Sequence, residues 1–139
     1  MSAAATGYRE MINDYIRRFG ELVGVQFDPL DTEGYTSFRR GSATVGINVL
    51  EDHRVLMFLS PMMQVPGQGQ RELFRKLLEL NFLSTSDGAF AIDRDKDVVY
   101  LRALRGLDGL DFEEFVDMLD TIAAVADEWD DKLRAEFGE

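Results

Sequence analysis

The chain has 139 residues, of which 45% are apolar; that length suits one domain, able to bury a core without staples. Its formal net charge of −11, from 26 acids against 15 bases, disfavours nucleic acid and anionic membranes as partners and favours basic polypeptides. It has no cysteine, which removes disulfides and thiolate metal sites.

In chain order, the opening Met1–Gly7 carries neither a basic nor an apolar run, so it does not read as a secretory leader. No stretch approaches the roughly 20 apolar residues of a membrane span, and the expected location is the cytoplasm. Tyr8, Met11, Ile12, Tyr15, Ile16, Phe19, Leu22 and Val23 recur at helical spacing, with Ser2 or Thr6 as the cap and Gly20 or Gly24 at the end. A loop over 26–34 follows, marked by Asp28-Pro29 and Glu33-Gly34.

Strands are expected over 35–40 and 42–50; in the second, Ala43, Val45, Ile47 and Val49 alternate with polar or small residues. A charged connection, 51–54, leads to a strand over 55–59 that is apolar on both faces. Such a run needs cover on both sides, part of it from a second chain. Pro61 and Pro66 bracket an expected stiff loop exposing Met62, Met63 and Val65, residues suited to an adaptable binding surface. The segment 72–83 reads as an amphipathic helix with Leu73, Phe74, Leu77, Leu78, Asn81 and Phe82 on its stripe. A turn from Ser84 to Gly88, a strand over 89–92, a polar hairpin loop and a strand over 98–104 come next. Asp111 and Glu114 form a capping-box pattern that opens a long last helix. Its apolar face runs from Phe112 to Phe137, and its other face carries Asp117, Asp120, Asp127, Asp130 and Asp131. The order α-β-β-β-α-β-β-α calls for an α+β fold, one mostly antiparallel sheet packed against helices.

Chemistry-bearing residues are sparse. His53 is the only histidine and lies in a charged turn with no second His or Cys to join it. Asp93, Asp95 and Asp97 start like a calcium loop, but Val98 and Leu104 stand where the template needs Gly and Glu. Gly67-Gln68-Gly69 lacks the Lys-Ser/Thr of a phosphate loop. Glu113-Glu114 fits the acid preference of a first helical turn. The expectation is a non-enzyme with no cofactor, no metal, no nucleic acid and no membrane insertion.

The run Leu77-Leu78-Glu79-Leu80-Asn81-Phe82, then Gly88–Asp93, Val98–Leu101 and Leu110–Phe115, resembles the type III secretion chaperone family (CesT-type) and its YbjN-like relatives, in element order from about Tyr8 to Leu133. The resemblance implies an α/β sandwich forming a homodimer that holds a protein client's or effector's extended segment over apolar patches, without ATP. It implies Leu73, Leu77, Leu80 and Asn81 at the dimer interface, and Tyr15, Phe19, Phe38 and Val45 against the client. The YbjN-like branch implies a regulatory or adaptor role on the same fold.

Overall fold

A computed structural model describes residues 3–83 and 85–138. Ser2, one of the expected helix caps, and Ser84, the first residue of the expected turn, lie outside the described residues. The elements are α1 (Ala3–Val23), β1 (Tyr35–Arg40), β2 (Ala43–Leu50), a single 3-10 turn (Glu51–His53), β3 (Val55–Gln64), α2 (Gln70–Leu83), β4 (Ala89–Asp93), β5 (Val98–Gly106) and α3 (Phe112–Phe137). This is the expected order. α1 begins upstream of Thr6, which is therefore not its cap.

The strands form one antiparallel sheet in the order β1-β2-β3-β5-β4. Ile47, Phe58 and Ala103 align across it and, with Val45, Leu56 and Leu101, point to one buried face. α3 lies over that face and sets Phe115 against Phe58, with ring centres 6.0 Å apart. Its capping box forms as the sequence predicts: Glu114 N–H donates to the Asp111 side chain at 2.8 Å, and Asp111 N–H to the Glu114 side chain at 3.1 Å. α1 packs beside α3 through Tyr15, whose ring meets Phe112 and Phe115. α2 sits on the same side toward β4, with Leu73, Leu77 and Leu80 in the shared core. The Lys76 ammonium lies 5.4 Å from the centre of the α3 Trp129 ring.

Two expectations are corrected. The stretch after Val55–Leu59 is not a loop exposing methionines: β3 continues to Gln64, and Met62, Met63 and Val65 are buried. Proline is tolerated there because the ladder to β2 stops at Leu59, and the register to β5 shifts between Pro61 and Met63. A bulge without a β2 partner asks no backbone N–H of Pro61. The Ser60 hydroxyl, fully buried, donates to the Thr44 carbonyl at 2.6 Å just beyond the end of that ladder.

Asp130 does not belong to a solvated acidic face. It is 1% exposed. Its carboxylate accepts the Ser42 hydroxyl at 2.8 and 2.9 Å and the Asp131 N–H at 2.7 Å, and Arg134 stands 3.6 Å away. Asp127 accepts the Ser42 N–H at 3.0 Å. These carboxylates tie the β1–β2 turn to α3. Gly41, at φ +59, leaves the space: a Cβ there would run into the Asp127 carboxylate.

Candidate protein-binding surfaces

The first surface forms where α1 ends. Gly20 is buried, and a Cβ on it would meet the Val25 carbonyl at 2.5 Å, so its bareness lets the chain turn back against the helix. Gly24, at φ +74, makes that turn. The segment 24–34 then crosses between α1 and β1 as a strap. Phe27 stacks on Phe19 (ring centres 5.5 Å apart, 15° between planes) and meets Phe38 edge-on at 5.5 Å. The strap is tied to α1 at both ends: Val25 N–H donates to the Gly20 carbonyl at 3.0 Å, and the Arg9 guanidinium to the Thr32 carbonyl at 2.8 Å. Leu30 N–H donates to the Asn13 side chain at 2.8 Å, and the Thr36 hydroxyl to the Asp28 carbonyl at 3.1 Å. An open groove of about 610 Å³ remains, lined by Ile16, Gly20, Val25, Phe27 and Pro29 with Asp14, Arg17 and Glu21 on its rim. Val25, on its lining, is 51% exposed, and Leu22 and Val23, at the end of α1, are 69% and 50% exposed.

β1 is an edge strand and meets the other side of the strap, where Phe38 packs on Phe27. Val49 N–H donates to the Gly34 carbonyl at 2.8 Å, which fixes the phase of the ladder. Backbone groups of alternate residues, Tyr35, Ser37 and Arg39, therefore point away from β2. At Tyr35 they are taken: the N–H donates to the Asp31 carboxylate at 3.0 Å and the carbonyl accepts the Asp31 N–H at 2.8 Å. Ser37 and Arg39 have no such partner among the described residues.

The second surface is apolar. Opposite the helices, the register sets Tyr35, Asn48, Met57 and Leu104 in one row and Ser37, Gly46, Leu59 and Arg102 in the next. The Tyr35 ring lies over Gly46, where a Cβ would meet it at 2.9 Å. Met57 and Leu59 are half-buried, and Leu104 is 48% exposed. A separate apolar row lies on the outward face of α2: Phe74, Leu78 and Phe82, with Arg71 and Arg75 beside them; Leu78 is 70% and Phe82 83% exposed.

The residues expected from the sequence fall as follows. Leu73, Leu77 and Leu80 occupy the inward row of α2, at 0%, 5% and 6% exposure. Asn81 spends its amide on β4: it accepts the Phe90 N–H at 2.8 Å and donates to the Phe90 carbonyl at 3.3 Å. On the outward row of α2, Phe74 is half-buried and Leu78 and Phe82 are exposed. Phe19 and Phe38 come together through Phe27 at the groove. Tyr15 is partly buried against α3; its hydroxyl donates to the Leu110 carbonyl at 3.0 Å, and burial, then the nearby Asp111 carboxylate, pushes its phenol above the usual value. Val45 is fully buried beneath the helices. Sequence reasoning missed Phe27, which sits in a loop with no periodicity to mark it, and the outward phase of Ser37 and Arg39.

A family model, the Tir chaperone protein (CesT) family, matches residues 14–130. The chain belongs to that family. The match runs from α1 to α3 and so takes in the groove, the β1 edge, the bare sheet face and α2. Solved structures share the fold of this CesT-family chain. A chain of the ExsC–ExsE complex aligns with a TM-score of 0.71 at 23% identity, covering 96% of this chain and 97% of that one. A chain of the HopA1–SchA chaperone–effector complex aligns with a TM-score of 0.70 at 10% identity, covering 94% and 98%. YbjN from E. coli aligns with a TM-score of 0.60 at 15% identity, covering 83% and 88%. No curated protein sequence matches the chain. No helix among the described residues is long and apolar enough to cross a membrane.

Proposed function

We propose that this CesT-family chain is a non-catalytic chaperone. In this reading it works without ATP in the cytoplasm and, as a homodimer, holds an extended segment of a protein client, such as a secreted effector. The observation that carries the reading is the β1 edge. Ser37 and Arg39 turn their backbone groups outward on a strand whose Phe38 packs on Phe27, the strap residue that lines the groove with Ile16. An extended peptide satisfies such an edge by adding a strand, with main-chain hydrogen bonds for affinity and alternate side chains in the groove for specificity. Phe19 and Phe38 then contact the client through the aromatic cluster, while Tyr15 and Val45 support it from below. The second copy covers the bare face of β3 and β5 and the outward row of α2. That cover accounts for a β3 that is apolar on both faces, and it moves the dimer contact from Leu73, Leu77 and Leu80 to Phe74, Leu78 and Phe82.

The test is co-purification from the source cell without nucleotide, with the partner identified by mass spectrometry. Ser37→Pro removes an outward N–H and puts a ring on the edge, a substitution that edge strands tolerate. The expected result is one stoichiometric partner, captured by the unaltered chain and lost by Ser37→Pro at an unchanged melting temperature. Retention of the partner by Ser37→Pro contradicts strand addition at this edge. A partner that is a resident regulatory protein, not an exported one, favours the adaptor role of a YbjN-like protein.

A further inference from the structure

We infer that the strap over residues 24–34 is an internal placeholder: Phe27 fills the aromatic pocket, and Asp31 caps the β1 edge, that an incoming extended segment takes when the strap lifts. The inference rests on the proposed function and adds a competitor built into the same site. The strap imitates such a segment in both respects. It lays an aromatic ring between Phe19 and Phe38, and it supplies a donor and an acceptor to the outward groups of Tyr35 through Asp31. Its attachment is light. Most of it is exposed, and it has no helix or strand of its own. Between Gly24 and Asp31 it is tied by Val25 N–H to the Gly20 carbonyl, by single bonds to Asn13 and Thr36, and by the partly buried Phe27 and Leu30; beyond Asp31, Arg9 donates to the Thr32 carbonyl. Segments with few buried contacts open locally at far lower cost than the whole fold.

A strap that lifts as a unit uncovers Ile16, Phe19 and Phe38 and frees the Tyr35 backbone, extending the open edge already present at Ser37 and Arg39. Competition of this kind lowers apparent affinity for any segment by the fraction of molecules whose strap is closed, so weakening the strap strengthens binding.

Amide hydrogen exchange on the full chain reads the strap directly. The amides of Leu30, Asp31 and Tyr35 are expected to exchange together and well ahead of those in β3. Asn13→Ala removes one tie without touching the aromatic cluster, and is expected to speed that set about tenfold while leaving β3 unchanged. A synthetic peptide with the chain's own residues 24–33 is the binding probe, followed by displacement of the dye 1-anilinonaphthalene-8-sulfonate. The expected result is that Phe27→Ala protein binds the dye more than the unaltered chain does. The peptide displaces that dye, and a peptide carrying alanine in place of its phenylalanine does not. Exchange of Leu30, Asp31 and Tyr35 only at the rate of global unfolding, in both the unaltered chain and Asn13→Ala, overturns the inference. Equal displacement by the two peptides, or none by either, overturns it as well. No readout here uses a client, so a failed co-purification with these results intact counts against the proposed function alone.

Discussion

The two faces of the sheet are both apolar at their centre, yet only one is closed by the chain's own helices. On β3, Phe58 turns to α3 and is fully buried, whereas its neighbour Met57 turns to the other side and stays half-exposed next to Leu104. α2 repeats the division along its length: Leu77 is 5% exposed and the adjacent Leu78 is 70% exposed. Exposed apolar surface arranged as a patch, and not scattered, is the kind of surface that interaction sites use.

The two rows of α2 differ most in what the same charge costs on each. Leu77→Asp buries a carboxylate without a partner, a cost of several kcal/mol that is a large share of the about 5–15 kcal/mol holding a domain folded. Loss of the cooperative thermal transition is expected. Leu78→Asp is expected to leave that transition in place; if both variants melt alike, the two rows are not different environments. Next in size, Phe58→Ala is expected to cost about 3–5 kcal/mol in urea titration, and Met57→Ala about 1 kcal/mol or less. Similar costs for the pair erase the distinction between faces.

The lock between the β1–β2 turn and α3 gives a smaller effect. Ser42→Ala takes a hydroxyl from both oxygens of Asp130 and is expected to cost about 1–3 kcal/mol in the same titration. A value near zero means that Arg134 and the Asp131 N–H suffice to hold the buried carboxylate.

The smallest effect is electrostatic. The Arg105 guanidinium, 2.7 Å away, and the Asp111 N–H hold the Glu114 carboxyl below the usual carboxylate range. A depressed folded value means that its contribution is present at neutral pH and fades as pH falls through that value. The stability gap between the unaltered chain and Glu114→Gln is therefore expected to narrow on acidification, followed as melting temperature from pH 7 to pH 3. A gap that widens on acidification reverses the assigned sign.

Most of the fold was legible because its signals are local. Alternation in β2, the helical spacing of α1 and the Asp111–Glu114 box each report on a few neighbouring residues, and each element stands where the sequence put it. The failures are tertiary. Pro61 is a breaker in isolation and acceptable only at a bulge that β2 does not reach. Asp130 has the sequence pattern of a solvated helix face, and only the distant turn at Ser42 makes it a buried anchor. Phe27 belongs to no periodic segment, so its place between Phe19 and Phe38 could not be read along the chain. On α2 the stripe was found but not its phase: Leu73, Leu77 and Leu80 against Phe74, Leu78 and Phe82 is a choice that the sheet beneath makes.

Whether the bare apolar surface is held by protein is tested most directly by sedimentation equilibrium of the purified, unaltered chain at micromolar concentration. A species of twice the 15.8 kDa chain mass is the expected result. A lone 15.8 kDa species throughout that range contradicts it.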